Sequence, residues 1–194
     1  MLIFTDIVGI IAFAISGFIV GVRNRLDLLG ITITSFLTAL GGGILRDVLA
    51  KKNIYAFNDY LPGILVLSVI VIGILFKFYK YDFEKKGIFI ISDSIGLVSF
   101  SVSGALVGIN AGFNIFGVVF LSLITAVGGG MIRDVLINQV PFVLKENFYG
   151  SVSVLVAVYL YLFGNGTGNI LSVLIFGIMI RIFAHKKNWK LPTF

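Results

Sequence analysis

The sequence contains no cysteine, a single histidine (His185), three prolines and one tryptophan (Trp189). Without cysteine there are neither disulfides nor thiolate metal sites. The lone histidine stands in a basic tail beside Lys186 and Lys187, which leaves little for imidazole catalysis or metal ligation. Charge is scarce: 12% of residues are Asp, Glu, Lys or Arg, against about 25% in a soluble domain. No glycine run ends in the Gly-Lys-Ser/Thr of a phosphate-binding loop, and no nucleophile–base constellation is evident. Enzyme activity, a cofactor and a resident metal are therefore not expected. The apolar start at Leu2 has no basic segment before it and runs on to Val22, too long for the core of a cleavable signal, so none is expected.

Hydrophobic sequence is abundant. It makes up 58% of the chain, and the mean hydropathy is +1.08. About 20 apolar residues cross a bilayer as a helix. The pattern predicts an all-α integral membrane protein with seven spans, near 3–22, 28–50, 61–79, 88–109, 115–137, 148–163 and 167–184. Proline is tolerated in a first helical turn, which suits Pro62 at the start of the third span. Gly164-Asn165-Gly166 reads as a turn. Tyr55, Tyr60, Tyr149 and Trp189 fall near predicted span ends, as interfacial aromatics do.

One stretch occurs twice. Thr38-Ala39-Leu40-Gly41-Gly42-Gly43-Ile44-Leu45-Arg46-Asp47-Val48-Leu49 returns as Thr125-Ala126-Val127-Gly128-Gly129-Gly130-Met131-Ile132-Arg133-Asp134-Val135-Leu136, at an offset of 87. At the same offset Asp6 meets Asp93, Gly9 meets Gly96, Phe13 meets Phe100, and Ser16-Gly17 meets Ser103-Gly104. Gly21 meets Gly108, Gly30 meets Gly117 and Gly63 meets Gly150. A gap-free register of this length indicates duplication. The unit holds three spans, so the second copy enters from the opposite side, and the halves are expected to be inverted-topology repeats. The expected division is a first repeat at 1–80, a charged cytoplasmic link at 81–87, a second repeat at 88–164, and a seventh helix with a basic tail at 165–194. The copies diverge where Pro141 answers Ile54 and Tyr149 answers Pro62.

The charges give an independent orientation. With the N-terminus outside, Arg23, Arg25, Lys77, Lys80, Lys85, Lys86, Lys145, Arg181, Lys186, Lys187 and Lys190 fall on the inner side, and only Lys51 and Lys52 on the outer. The net charge of +6 then fits a cytoplasmic membrane surface rather than nucleic acid. The C-terminus is expected in the cytoplasm and the protein in the plasma membrane of a prokaryote.

Three adjacent glycines inside a span lower helix propensity by about 1 kcal/mol each relative to alanine. They permit a bend or a short unwound turn, which at membrane depth must be buried or face a water-filled cavity. Close helix packing is the plainer use of small residues, and it fits Gly9, Gly17, Gly21, Gly96, Gly104 and Gly108 better. The charges beside Gly41–Gly43 and Gly128–Gly130 point to a cavity there. Ionisable groups at membrane depth default to a functional role. Neighbouring helical positions do not face each other, so Arg46 and Asp47, like Arg133 and Asp134, are expected to find partners elsewhere. Asp6 for Arg46 and Asp93 for Arg133 are the candidate pairs. The plain alternative is a structural charge cluster, or arginines that snorkel outward. Thr38, Thr125, Ser16 and Ser103 add hydroxyls at similar depth; each taken singly is expected to bond back to the carbonyl four residues earlier.

The doubled G-G-G-x-x-R-D-V-L, in two three-helix units followed by a seventh helix, resembles the prokaryotic branch of the trimeric intracellular cation (TRIC) channels over nearly the whole chain. The resemblance implies a homotrimer with a pore in each subunit, conducting K⁺ and Na⁺, with the second and fifth spans kinked at their glycines. It sets Gly41–Gly43 with Arg46 and Gly128–Gly130 with Arg133 along the pore, and Thr38, Asp47, Thr125 and Asp134 belong to the same pathway. Membrane lipid is the surrounding partner. Animal members bind phosphoinositide at a lysine-containing variant of the motif, where this chain has arginine. The same domain has also been described as a glycine transporter, so a carrier of a small zwitterion is the second expectation. Arginines in a pore favour anions, so a cation pathway requires Asp6, Asp47, Asp93 or Asp134 to neutralise them.

Overall fold

A computed structural model describes residues 1–78, 87–145, 148–187 and 189. Every regular element among them is helical: α1 (Leu2–Arg23), α2 (Leu28–Leu49), α3 (Tyr55–Asn58), α4 (Leu61–Leu75), α5 (Gly87–Asn110), α6 (Ile115–Leu136), α7 (Phe142–Lys145), α8 (Gly150–Phe163) and α9 (Thr167–Lys186). Five of these, α1, α2, α5, α6 and α9, are long and apolar enough to cross a membrane. Two further apolar helices are shorter, α4 with 15 residues and α8 with 14. The short α3 and α7 occupy links that the sequence pattern left without structure. Of the expected linker, residues 81–86 lie outside the described residues, as do Lys80 and Lys190.

The expected starts and stops follow from local chemistry. Asp27 caps α2 by accepting the Gly30 N–H at 2.7 Å, and Asn114 caps α6 by accepting the Gly117 N–H at 3.0 Å. A side-chain oxygen at this position satisfies one of the free N–H groups of a first turn. Six left-handed residues close helices, in three pairs whose positions also correspond. Arg25 and Gly112 have φ of 53° and 73°, Lys51 and Asn138 have 53° and 55°, and Lys77 and Gly164 have 55° and 88°.

Four helices form the centre. α1 packs on α2 and α5, and α6 packs on α2 and α5. α4 lies against α1, α8 against α5 and α6, and α9 against α5 and α8. The crossing of α1 and α5 is reciprocal. The Phe13 ring lies against Gly96 and the Phe100 ring against Gly9, with the two ring centroids 5.3 Å apart. Such a pair contributes about 0.5–1.5 kcal/mol beyond its buried area.

The crossing of α2 and α6 explains the glycines. A Cβ on Gly42 would fall onto the Thr125 carbonyl oxygen, and one on Gly129 onto the Thr38 carbonyl oxygen. Each backbone is seated against the other. Gly41 and Gly128 serve the same contact, since a Cβ there would come within 3.1 Å of Ile132 and 2.8 Å of Leu45. The third glycine of each run is different. Gly43 has nothing within 4 Å of its missing side chain, and Gly130 has only Arg133, at 3.7 Å. Of the two possibilities at the glycines, a bend or a short unwound turn, the unwound turn is corrected: α2 and α6 run through them as continuous helix. The first two glycines permit backbone contact between helices, which in lipid is a sufficient reason for small residues.

Two clusters of buried charge

Both arginines of the doubled motif are buried. Arg46 is 3% exposed and Arg133 is 1% exposed, so neither snorkels to a surface. Each sits in the last turn of its helix, where a positive charge complements the helix dipole.

In the first cluster, Arg46 Nη1 donates to Asp6 Oδ1 at 2.6 Å and also to the hydroxyl of Ser103. Arg46 Nε donates to Asp47 Oδ1 at 2.8 Å. The structure thus brings Arg46 to Asp6, and it corrects the expectation that Arg46 and Asp47 do not pair. The spacing argument concerns Cβ directions; the arginine stem is long enough to turn back and offer Nε to its neighbour while its fork reaches Asp6. Asp47 divides its oxygens, because Oδ2 accepts the Tyr55 N–H at 3.0 Å at the start of α3. Asp6, Gly43, Arg46, Asp47 and Tyr55 border a cavity of about 10 Å³, close to what one water needs. Burial, followed by the carboxylates of Asp59 and Asp6, pushes the Tyr55 phenol above its ordinary range.

The second cluster repeats part of this. Arg133 Nε donates to Asp134 Oδ1 at 2.8 Å, and Asp134 Oδ2 accepts the Phe142 N–H at 2.7 Å at the start of α7. Arg133 Nη1 donates to Ser16 Oγ at 3.0 Å. Asp93, however, lies 4.0 Å from Arg133. Ser16 donates to Asp93 Oδ1 at 3.4 Å. A cavity of about 340 Å³ opens beside Arg133 and Asp134, with Arg23, Asn24, Gln139 and Lys145 also on its wall.

The hydroxyls separate into two kinds. Thr38 and Thr125 bond back to the carbonyls of Thr34 and Leu121, each at 2.5 Å. Ser16 and Ser103 instead serve the arginine of the other half of the chain, which corrects the expectation of simple back-bonding for these two. Two residues of the second cluster were not expected there. Tyr149, read from the sequence as an interfacial aromatic, is buried at 4% exposure. Arg181, read as an inner surface charge, is 1% exposed and stands over the Tyr149 ring at 4.9 Å. The departure of Tyr149 from Pro62 in the repeat register was the one signal in the sequence. Among the described residues, no group of three or more His, Asp or Glu is placed to hold a metal.

Apolar helices around two buried arginine–aspartate clusters define a multi-pass helical membrane protein. The chain belongs to the family described as glycine transporter, whose model matches residues 3–80 and again 90–165. It is 36% identical over 194 residues to the UPF0126 membrane protein YvgT of Bacillus subtilis (strain 168), covering 97% of this chain and 94% of the relative. It is 30% identical over 197 residues to the UPF0126 inner membrane protein YadS of Escherichia coli (strain K12), again covering 97% and 94%. Among solved structures, a prokaryotic TRIC channel crystallised in 0.5 M KCl superposes with TM-score 0.89 at 29% identity over 98% of both chains. Another, from a study of conductance through TRIC cation channels, gives TM-score 0.83 at 31% identity over 98% of this chain and 96% of that one. The resemblance to prokaryotic TRIC channels read from the doubled motif is borne out.

Proposed function

We propose that this chain is a channel for monovalent cations, K⁺ and Na⁺, with a pathway in each subunit of a homotrimer along the contact of α2 and α6. The observation that carries this reading is the likeness, over nearly the full length, to solved TRIC cation channels. The charge clusters support it. Arg46 faces two carboxylates, and Arg133 is hydrogen-bonded to Asp134 with Asp93 nearby, so neither arginine presents an uncompensated positive charge to a passing cation. Thr38, Gly43, Arg46, Asp47, Thr125, Gly130, Arg133 and Asp134 are the proposed pathway residues, with Asp6, Asp93, Ser16 and Ser103 as charge partners and polar lining. Gly41, Gly42, Gly128 and Gly129 hold the two helices together behind them.

The proposed topology is seven spans in the plasma membrane, with two inverted three-helix repeats (1–80 and 88–164) and a seventh helix. The N-terminus is outside and the C-terminus cytoplasmic. The repeat reading draws on the corresponding caps, left-handed turns and reciprocal glycine contacts. The test of function is purified protein in a planar bilayer under a K⁺ gradient. Discrete current steps with a reversal potential near that of K⁺ are expected; their absence refutes the channel.

A carrier for glycine or a similar zwitterion is the second reading, favoured by the family description. Such a carrier needs free N–H groups or an available arginine for the carboxylate. α2 and α6 are continuous through their glycines, so those N–H groups are engaged within the helix. Counterflow of labelled glycine without current steps would favour it.

A further inference from the structure

The two charge clusters share one piece of architecture and differ in what covers it. Contacts along α2 and α6 run in opposite senses, since Gly41 faces Ile132 while Leu45 faces Gly128. The helices are therefore antiparallel, and Arg46 and Arg133 lie at opposite ends of their crossing. At each end the motif aspartate holds its arginine with one oxygen and the start of a short helix with the other. Asp47 Oδ2 accepts the Tyr55 N–H of α3 at 3.0 Å, and Asp134 Oδ2 accepts the Phe142 N–H of α7 at 2.7 Å. The space left beside the arginine is unequal: about 10 Å³ at Arg46 and about 340 Å³ at Arg133.

Neither short helix contains a fully buried residue, so a few contacts decide where each one sits. α7 has an aromatic anchor. The Phe142 ring meets Phe89 edge-on at 5.6 Å and Tyr149 edge-on at 5.5 Å. At the repeat offset these two positions are Leu2 and Pro62, so the first half cannot build the same clamp. α3 packs on α2 and α4, and Tyr55 and Ala56, with Pro62, stand on the wall of the small cavity. We propose that α3 is the gate at the Arg46 end of the pathway, closed in this structure, and that Asp47 is the positioning residue that latches it. Opening breaks the hydrogen bond from the Tyr55 N–H to Asp47 and uncovers no fully buried side chain of α3. Moving elements are drawn from such weakly held segments. The same carboxylate holds Arg46 Nε, so release of α3 frees an acceptor oxygen beside the guanidinium as the cavity widens. The effect on current rests on the reading of Arg46 as a pathway residue; the closing of the cavity by α3 does not.

The test compares Tyr55→Pro with Tyr55→Ala in the full-length protein. Both remove the phenol ring, and only proline also removes the N–H. Proline is tolerated at the first helical position. Ile54 before it is already extended, with φ −69° and ψ 108°, as a residue preceding proline is. In single-channel recordings, Tyr55→Pro is expected to raise the ratio of open to closed time about tenfold over Tyr55→Ala, the order that follows when the closed state alone loses a hydrogen bond to a carboxylate. Unitary conductance should be the same in the two. Each change is then combined with Gly43→Cys, whose side chain enters open space at the small cavity; the chain has no other cysteine. An impermeant thiol reagent should modify this thiol slowly beside Tyr55→Ala and about tenfold faster beside Tyr55→Pro. Asp47→Asn, with one oxygen for two donors, should speed the labelling over Gly43→Cys alone, and it decides the matter if Tyr55→Pro does not fold. Equal labelling beside proline and alanine overturns the latch. Faster labelling with unchanged open time overturns the gate. A parent protein without current refutes the cation channel, and equal labelling would then refute closure by α3 as well.

Discussion

Ser103 on α5 donates to Asp6 Oδ1 at 2.6 Å and accepts from Arg46. Asp6 and Arg46 both belong to the first half of the chain and Ser103 to the second. Ser16 answers it from the first half, accepting from Arg133 and reaching Asp93. Each charge cluster is therefore completed by a hydroxyl from the other half of the chain. A serine at these positions has the right valence, since its one O–H can serve the carboxylate while its lone pairs accept from the guanidinium.

Removing the Ser103 hydroxyl should destabilise the fold by about 1–3 kcal/mol, the usual effect of leaving a buried polar group unsatisfied. Ser16→Ala should cost less, because its bonds of 3.0 and 3.4 Å are longer. Thermal melts of the two variants check the order; a Ser16→Ala loss larger than that of Ser103→Ala contradicts it.

Within the glycine runs, position decides the outcome. Gly42→Ala and Gly129→Ala place a methyl onto a carbonyl oxygen of the facing helix and should lower both stability and flux. Gly43→Ala meets open space and gains about 1 kcal/mol of helix propensity, so its fold should be at least as stable as the parent. Melting temperature and bilayer current, measured together for the three variants, test this division. Equal behaviour at Gly42 and Gly43 refutes it.

Asp6→Ala strips Arg46 of its closest carboxylate partner. Breaking a buried pair costs about 3–5 kcal/mol, so the yield of folded protein should fall. Asp93→Ala should cost less, because Arg133 is 4.0 Å from Asp93 and keeps Asp134 at 2.8 Å. A larger loss at Asp93 than at Asp6 contradicts this ranking.

Arg46→Ala and Arg133→Ala should both shift the reversal potential in asymmetric KCl toward greater cation preference, since positive charge leaves the path. The shift should be larger at Arg133, which borders the larger cavity. Variants that change only the yield of folded protein, and neither current nor reversal potential, assign both arginines to structure alone.

The absence of native cysteine makes single-cysteine labelling unambiguous. A cysteine at Asn53 should react with an impermeant thiol reagent added to intact cells, and one at Lys187 should not. The reverse pattern overturns the proposed orientation.

The long helices and the Asp6–Arg46 pair were legible from residue spacing, because each depends on local sequence or on the offset of 87 between the two motifs. The continuity of α2 and α6 was not. Gly-Gly-Gly weakens a helix in isolation, and only the facing carbonyls of Thr125 and Thr38 reveal why the weakness is tolerated. The Arg46–Asp47 bond escaped the spacing rule because a long side chain is not bound by its Cβ direction. Arg181 sits in an unremarkable stretch at the end of α9, and its burial depends on Tyr149 and Phe142, which no local pattern brings to it. The short α3 and α7 could have been anticipated from Asp47 and Asp134 only by knowing that each aspartate sends its second oxygen to a backbone N–H eight residues on.

The ordering of partners along the chain bears on biosynthesis. Domains are made and fold from the N-terminus. By the time α2 has been synthesised, both carboxylates that Arg46 meets in the fold, Asp6 and Asp47, have been made, and Ser103 follows later. Arg133 emerges when Ser16, Asp93 and the whole of α2 are in place, and it waits only for Asp134, the next residue. Tyr149 and then Arg181 arrive last. Each arginine of the doubled motif follows its first carboxylate in the chain and precedes its second by one residue, so both counter-charges are synthesised before it or directly after it.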